Sequence, residues 1–250
     1  MPTFPTPEPI TASIEVVSGA VNVVASDRDD TVVLVRPRDP NRAYDIRVAE
    51  GARVDFRNGT LAVSAGRRFV SLGRGGAVII DIELPSRSRL QVSSASAAVH
   101  AEGAFGDCRF ATASGDAAVD TVIGNIKADS ASGDVSVSVL TGDVTFRAAS
   151  GSLTVTRLHG TVNAQTASGD TSVAGAANGG VSVQTASGAV EIGIPEGTAA
   201  HLDVRTHSGE VRNTLESADG PTAGDETLTV HVRTGSGDIR VQRATAGVAG

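Results

Sequence analysis

The sequence predicts an all-β protein: a parallel β-solenoid of the right-handed β-helix type, with about 18 residues and two main strands per coil and a β-rich N-terminal capping section. Two observations support this prediction. Ser-Gly pairs recur at a fixed spacing, and side chains one spacing apart are chemically alike. Both are expected when each coil lies directly on the one before, because equivalent side chains then stack in files. Right-handed winding follows from the general handedness of parallel β connections.

The Ser-Gly pairs define the repeat. Through the middle of the chain they recur every 18 residues, after a degenerate copy that begins at Ser96, and later copies follow at spacings of 19, 21 and 28. We attribute the wider spacings to inserted loops. Other glycines lie midway, so every nine residues hold one turn and one strand of about five residues, too short for a crossover helix. The pairs begin at Ser114, Ser132, Ser150, Ser168, Ser187, Ser208 and Ser236, and the midway glycines are Gly106, Gly124, Gly142 and Gly160.

The residues after each Ser-Gly pair alternate apolar, polar, apolar, which is the pattern of a half-buried strand. Stacking the repeats gives two inward files with an outward file of small, polar or charged residues between them. The first inward file is Val99, Ala117, Val135, Leu153, Thr171, Val190, Val211 and Ile239, and the second is Ala101, Val119, Val137, Val155, Val173, Ile192, Asn213 and Val241. The outward file is His100, Ala118, Ser136, Thr154, Ser172, Glu191, Arg212 and Arg240.

The strands before each Ser-Gly pair give two further inward files. One of them alternates Phe and Ala, which suits direct stacking, because coils about 4.8 Å apart leave room for a phenyl ring only beside a small residue. The other contains the single cysteine, Cys108, so we expect a buried thiol of little reactivity. These files are Phe110, Ala128, Phe146, Ala164 and Val183, and Cys108, Ile126, Val144, Val162 and Val181.

The corners between strands are rich in glycine and in small polar residues. We expect the glycines to adopt positive φ, which other residues disfavour. Asp or Asn beside them is expected to hydrogen-bond to the local backbone as an Asx-turn, and the serine file to satisfy backbone groups at the corner. All of these are structural roles.

Both ends of the chain depart from the strict repeat. Residues 10–92 are interpreted as a β-rich opening section that shares the solenoid core and shields its first coil; Asn58-Gly59 predicts a hairpin and Pro85 closes the section. Residues 93–243 form the repeats, and Leu228–Val232 with Ile239–Val241 are expected to be the terminal strand pair, after a long loop over Ser217–Asp225. Residues 244–250 are expected to be a disordered tail. The strands predicted in the opening section are Ile14–Val16, Val21–Val23, Val32–Val35, Arg53–Phe56, Leu61–Val63 and Val78–Leu84.

Four Ser-Gly-Asp triplets lead into apolar strands, at Ser114–Asp116, Ser132–Asp134, Ser168–Asp170 and Ser236–Asp238. Together with the non-repetitive β-rich opening, they resemble the bacterial "putative adhesin" family of β-strand-repeat proteins of unknown function. The resemblance extends over roughly residues 14–241. It implies a β-solenoid fold and supplies no catalytic residue, because the adhesin label rests on fold analogy.

Composition argues against two classes of function. The chain has 21 Lys and Arg against 28 Asp and Glu, a net charge of −7, and shows no basic face, so we expect no nucleic-acid binding. The basic segment Arg67–Gly76 is expected to be a solvated loop. Carbohydrate-active solenoids use paired carboxylates and aromatic platforms, whereas this chain has no Trp and a single Tyr, Tyr44. We therefore expect no enzyme activity.

The corner carboxylates leave calcium binding as an alternative. Asp116, Asp134 and Asp170 recur at one corner, as Gly-Asp does in calcium-binding β-rolls. The file is interrupted at Ser152, and alternating charged with neutral residues relieves the repulsion between carboxylates about 4.8 Å apart without a cation. Corner capping is the favoured interpretation.

No residue is assigned a catalytic, cofactor-binding or metal-binding role. The single cysteine excludes an intramolecular disulfide, and Met1–Pro9 has neither a basic region nor an apolar run, so we expect a cytoplasmic protein without membrane contact. The expected function is a non-enzymatic structural or protein-interaction solenoid whose partner is an unknown protein or a second copy. The alternative is a calcium-binding repeat protein or a carbohydrate-binding or carbohydrate-processing β-helix. The histidines, which show no ligand spacing, are His100, His159, His201, His207 and His231.

Overall fold

The computed structural model describes residues 1–66, 76–215 and 226–244, where the chain consists of β-strands, turns and one short helix. The strands form one hydrogen-bonded sheet that winds along the molecule. The opening section contains β1 (Thr3–Pro5), β2 (Thr11–Ser26), β3 (Asp30–Pro37), α1 (Ala43–Glu50), β4 (Arg53–Arg57), β5 (Thr60–Ala65) and β6 (Val78–Pro85). The repeats contain β7 (Arg89–Phe105), β8 (Cys108–Thr112), β9 (Ala117–Ile123), β10 (Ile126–Ser130), β11 (Val135–Ala148), β12 (Leu153–Ser168), β13 (Thr171–Val173), β14 (Ala176–Ser187), β15 (Val190–Ile194), β16 (Thr198–Ser208), β17 (Val211–Asn213), β18 (Glu226–Ser236) and β19 (Ile239–Arg243).

The repeats stack in parallel, with equivalent residues of successive coils side by side. Each coil has a front face, formed by the strand that leads into the Ser-Gly corner, and a back face, formed by the strand that follows it. On the front face Ile126 pairs with Val144 and Val144 with Val162. On the back face Ala117 pairs with Val135. The all-β solenoid predicted from the sequence is confirmed.

The core consists of the inward files. From Val99 to Ile192, every member of the four predicted files is at most 4% exposed. Phe110, Ala128 and Phe146 pair in sequence order, so the alternation of large and small side chains runs vertically through the core. Because these side chains are removed from water on both sides, their burial is the main stabilising contribution to the rod.

The Ser-Gly glycines meet the expectation of positive φ only in part: Gly209 and Gly237 have φ of 151° and 153°. Gly133 does not have positive φ. A Cβ at this position would lie 2.1 Å from the carbonyl oxygen of Gly115 in the neighbouring coil, so the absence of a side chain lets the coils approach. Gly142, at the midway corner, meets both conditions: its φ is 138°, and a Cβ would lie 2.1 Å from the carbonyl oxygen of Gly124.

At the N-terminal end the coils do not follow chain order. β2 pairs in parallel with β7 on one side and with β5 and β6 on the other, so the coil of β5 and β6 lies outside that of β2. Antiparallel strands cover this outer coil: β3 pairs with β6, β1 with β3, and β4 with β5. The rings of Phe4 in β1 and Phe56 in β4 lie 5.4 Å apart and bring the two covering layers together. All the strands predicted in the opening section are present.

The connection from β3 to β5 contains one predicted and one unpredicted feature. Asn58 and Gly59 form the predicted hairpin between β4 and β5, with φ of 50° and 71°. The helix α1 was not predicted. It has eight residues and buries only Val48 and Asp45, and the Asp45 carboxylate accepts the backbone N–H of Ala77 at 3.0 Å. A buried carboxylate on so short a helix interrupts the apolar periodicity by which helices are found.

At the C-terminal end, too, the order of the coils is inverted relative to the chain, and this corrects one prediction. β18 and β19 pair with β14 and β15 on one side and with β16 and β17 on the other. The strands Leu228–Val232 and Ile239–Val241, which were predicted to be the terminal pair, therefore belong to an inner coil. β16 and β17 form the outermost coil. The predicted order Val190, Val211, Ile239 is wrong for the same reason, since Ile239 lies between the other two.

Side-chain chemistry explains which coil lies inside. Val230, Val232, Ile239 and Val241 are completely buried, so the more apolar of the two coils occupies the inner place. Val211 and Asn213 of the other coil lie in the predicted files, beside Ile239 and Val241, but their expected burial is wrong: Val211 is 41% exposed, and Asn213 is exposed.

Three predicted segments fall on residues that are not described. They are the basic segment Arg67–Gly76 except Gly76, the loop Ser217–Asp225, and the tail 244–250 except Ala244. Within the described ranges, no helix has the length and apolar character needed to cross a membrane.

Candidate interaction surface

The corner carboxylates bond to the neighbouring coil. Asp116 accepts the backbone N–H of Asp134 at 3.0 Å, Asp134 that of Ser152 at 2.7 Å, and Asp170 that of Ala189 at 2.8 Å. The predicted capping role is therefore confirmed, but the expected local Asx-turn is wrong, because the amide partner lies one coil away. The midway corner has the same arrangement, from Asp107 through Asn125 and Asp143 to Thr161.

This ladder explains why neutral residues such as Asn125 and Ser152 can take the place of Asp. Each step needs one acceptor for one N–H, and the Ser152 hydroxyl supplies it to Asp170 at 3.3 Å. Among residues 1–66, 76–215 and 226–244, no group of three His, Cys, Asp or Glu side chains is placed to hold a metal ion.

A shallow groove of about 780 Å³ runs along the front face beside the Ser-Gly corner. Its outer side is one file of long polar side chains, carried by β11, β12, β14 and β18. The strand register places these side chains next to one another in the order Arg147, Gln165, Gln184 and Arg233. The groove thus crosses four adjacent coils.

Small side chains form the rest of the groove. Thr166, Thr185 and Thr234 are 5–8% exposed, and Ala167, Ala186 and Gly235 lie beyond them at the corner. Small residues leave the four long side chains standing above a low floor.

The long side chains of the groove carry hydrogen-bond donors. Two guanidinium groups and two carboxamides offer hydrogen-bond donors to carboxylates or backbone carbonyls. None of the four side chains is a nucleophile or a general base at neutral pH. Neither Arg147 nor Arg233 makes an ion pair within the part of the chain that the structure describes.

Sequence reasoning did not single out this file. The repeat spacing does place three of its members in one file, since Arg147 and Gln165 are 18 residues apart and Gln165 and Gln184 are 19 apart. Arg233 lies 49 residues after Gln184. Its place in the file depends on the inverted order of the last two coils, which the spacing does not reveal.

Comparison with known proteins identifies the family. The family model described as Toastrack DUF4097 matches residues 12–242. The chain belongs to this Toastrack family. The resemblance to bacterial "putative adhesin" proteins is thereby confirmed, as is the solenoid fold. Comparison with curated proteins gives no match.

Two crystal structures share the fold of this Toastrack chain. A "putative adhesin" from Bacteroides fragilis NCTC 9343 has a TM-score of 0.54 and 14% identity, and the alignment covers 96% of this chain and 95% of that one. A "putative adhesin" from Parabacteroides distasonis ATCC 8503 has a TM-score of 0.53 and 13% identity, with the same coverage of 96% and 95%. At these identities the likeness establishes the architecture alone.

The cysteine and the histidines of the Toastrack chain lie away from the groove. Cys108 is 3% exposed, and its burial, together with the charge of Asp107, raises the pKa of the thiol to about 12. The predicted burial is confirmed, and the thiol is protonated at neutral pH. His231 contacts Asp203, with Nδ1 and Oδ2 at 3.0 Å.

Proposed function

We propose that this Toastrack protein is a non-enzymatic interaction module of the cytoplasm, and that its front-face groove binds an acidic segment of a protein partner. The observation that carries the proposal is the file Arg147, Gln165, Gln184 and Arg233 on four adjacent strands. A solenoid holds such side chains at a fixed spacing, and solenoid proteins use extended surfaces of this kind for binding.

The spacing favours an extended acidic peptide. Arg147 and Arg233 are three strand spacings apart, which is roughly 14 Å at about 4.8 Å per spacing. An extended peptide rises about 3.3 Å per residue, so carboxylates about four residues apart reach both guanidinium groups. The glutamines between them can donate to the backbone carbonyls of the same peptide.

The charge of the surroundings gives the groove specificity. The chain carries a net charge of −7, so an acidic partner is repelled from most of its surface and attracted where arginines are grouped. Arg147 and Arg233 are exposed and form such a group without competing ion pairs within the described residues.

Capture of partners from the source cell tests this proposal. The wild-type chain and the double variant Arg147→Glu/Arg233→Glu are immobilised in parallel, and bound proteins are quantified by mass spectrometry. We expect proteins with acidic segments to bind the wild type and to be lost from the variant, since two attractive contacts become repulsive. Binding of each candidate is then measured by calorimetry with a peptide from its acidic segment.

A matched control carries the same charge change elsewhere. Arg109 and Arg157 are exposed residues of β8 and β12 outside the groove, and Arg109→Glu/Arg157→Glu should retain the partners. Partners that survive the groove substitutions, or that both variants lose equally, would show that this file is not the binding site. Fractionation of the source cell, with the chain detected by antibody, tests the cytoplasmic location separately.

The calcium alternative is not favoured. Its candidate ligands, such as Asp116 and Asp134, already accept hydrogen bonds from amides of the neighbouring coil. For the carbohydrate alternative, the groove offers no aromatic side chain on which a sugar ring could stack.

A further inference from the structure

Among the described residues, the outermost coil at the C-terminal end has an edge that pairs with no further strand. β16 pairs with β18 and β17 pairs with β19, and no other strand of the described residues pairs with either of them. β16 is eleven residues long and contains no proline. Its outer side therefore presents the alternate backbone N–H and C=O groups that a further strand would use.

Apolar side chains accompany this edge. Leu202 and Val204 on the front face are only partly buried, and Val211 on the back face is 41% exposed. The equivalent residues of the next coil inward, Val230 and Val232, are fully buried. Residues 1–66, 76–215 and 226–244 thus leave this edge without one layer of covering side chains.

The charges along the edge form two matching triplets. On the front face Val204 is flanked by Asp203 and Arg205, and on the back face Val211 is flanked by Glu210 and Arg212. Each acidic residue precedes the valine and each basic residue follows it. Within the chain each pair is already an ion pair, with an N–O distance of 3.1 Å on the front face and 2.7 Å on the back face.

A triplet of this kind is complementary to itself in antiparallel pairing. When two identical strands pair about a two-fold axis beside the central valine, the acidic residue of one strand lies opposite the basic residue of the other. Residues directly opposite have Cβ atoms about 4.5–5.5 Å apart, close enough for an ion pair. Two cross-strand pairs form on each face.

One axis can serve both faces. The corner of this coil runs from Thr206 to Gly209, equivalent to Thr112–Gly115, where the Gly115 N–H donates to the Thr112 hydroxyl at 2.8 Å. Val204 lies two residues before Thr206 and Val211 two residues after Gly209, so the two valines are at similar distances from this corner. An axis that passes beside both, perpendicular to the rod, pairs front face with front face and back face with back face. Both pairings are then antiparallel.

We infer that the Toastrack chain forms a two-fold symmetric dimer in which β16 and β17 pair edge to edge with β16 and β17 of a second copy. Asp203 then faces Arg205 of the second copy, and Glu210 faces Arg212 of the second copy. Leu202, Val204 and Val211 become covered, and the two solenoids join into one rod. The contact is isologous, so it closes at two copies.

The opposite end does not compete for this role. Its edge strands are β1, which has three residues and ends at Pro5, and β4, which has five residues and carries Arg53, Asp55 and Arg57. Short edges, proline and charge are the usual means of preventing strand addition. We therefore expect dimers and do not expect longer assemblies such as fibres.

Charge exchange tests the dimer directly. The variants Asp203→Arg/Glu210→Arg and Arg205→Glu/Arg212→Glu each place like charges opposite one another. We expect the wild type to have twice the chain mass of 25.2 kDa by sedimentation equilibrium, and each variant alone to have the single-chain mass. An equimolar mixture of the two variants should restore the doubled mass, because their charges are again complementary.

The control changes one residue of a similar ion pair at the N-terminal end of the rod. Asp55 and Arg57 are also two residues apart, with an N–O distance of 2.9 Å, and Asp55→Arg should leave the dimer intact. A single-chain mass for the wild type at every concentration would overturn the inference, as would variants that dimerise alone or a mixture that does not. Mass growing without limit would indicate a head-to-tail contact and would also overturn it.

The dimer and the groove can fail independently. The groove substitutions lie outside the edge, and Asp203→Arg/Glu210→Arg leaves the groove residues in place. Arg205 lies beside Arg233 in the register, so partner capture is compared only between the wild type and Asp203→Arg/Glu210→Arg. Because Asp203 also contacts His231 at 3.0 Å, the first variant is checked for folding by thermal unfolding. The second variant leaves that contact in place.

Discussion

The two ends of the solenoid begin in the same way and finish differently. At each end the outermost coil comes from a segment that is out of chain order: β5 and β6 lie outside β2, and β16 and β17 lie outside β18 and β19. The N-terminal end then adds three antiparallel strands and α1. At the C-terminal end, the described residues add no further strand.

One file of side chains shows what this difference does. It runs the whole length of the front face and ends in leucine at both ends. Leu61 is completely buried, whereas Leu202 is only partly buried. Burial at an end is therefore decided by what covers the coil. The file is Leu61, Ala12, Leu90, Cys108, Ile126, Val144, Val162, Val181, Val230 and Leu202.

The largest expected effect tests the inverted order at the C-terminal end. Ile239 and Val211 belong to one file, and Ile239 is fully buried between the neighbouring coils. Ile239→Asp should lower the free energy of unfolding by more than about 4 kcal/mol, because it buries an unpaired carboxylate. Val211→Asp should lower it by less than about 1 kcal/mol. Urea unfolding followed by circular dichroism measures both, and the reverse ranking would mean that the coils follow chain order.

The next prediction compares the two leucines directly. Leu61→Ala should lower the free energy of unfolding by about 3 kcal/mol, since it leaves a cavity beneath the covering strands. Leu202→Ala should lower it by about 1 kcal/mol, because its side chain is already partly in water. Both variants are measured in the Arg205→Glu/Arg212→Glu background, in which we expect a single chain, so that dimer formation does not contribute to the comparison. Equal losses would contradict the difference in burial between the two ends.

The covering layer itself can be loosened through α1. The Asp45 carboxylate accepts N–H groups of Asp39 at 3.1 Å and Ala77 at 3.0 Å. Asp45→Ala leaves these amides unpaired and should lower the free energy of unfolding by about 2 kcal/mol. Hydrogen exchange should quicken at Ala77. Asp55→Ala, at an exposed carboxylate of β4, should change stability by less than about 0.5 kcal/mol.

The smallest effect uses cysteine as a probe of the same file. Burial raises the pKa of Cys108 from 9.0 to about 12, so iodoacetamide should label the native protein far more slowly than the urea-unfolded protein. Leu202→Cys in a Cys108→Ala background should be labelled faster at the same pH, and mass spectrometry follows both. Because the folded pKa is raised, the stability linked to Cys108 is intact below about pH 9 and is lost as the pH rises towards 12.

The middle of the molecule could be predicted from the sequence because its physics is local and periodic. Stacking at fixed register places Val119, Val137 and Val155 in one file. Because the three side chains have the same buried environment, the same type of residue recurs at each position. The glycines and corner carboxylates were also found by their spacing. Their detailed roles were not, because the close approach at Gly133 and the amide accepted by Asp116 depend on a coil 18 residues away.

The ends could not be predicted in the same way. The spacing of Ser187, Ser208 and Ser236 identifies three coils but not their order, because any order keeps each coil's own pattern. The groove was missed for a related reason, since Arg233 joins Gln184 only when the last coil lies inside. Asn213, a polar residue in an otherwise aliphatic inward file, is a trace of the inversion in the sequence.

The inner position of β18 and β19 sets a condition on synthesis. A ribosome that has released residues 1–213 has delivered the strands of the outermost layer but not the layer on which they rest. Those strands must wait, or pair provisionally with β14 and β15, until residues 226–243 emerge and take that place. Growth of the rod by simple addition of one layer after another therefore stops short of its C-terminal end.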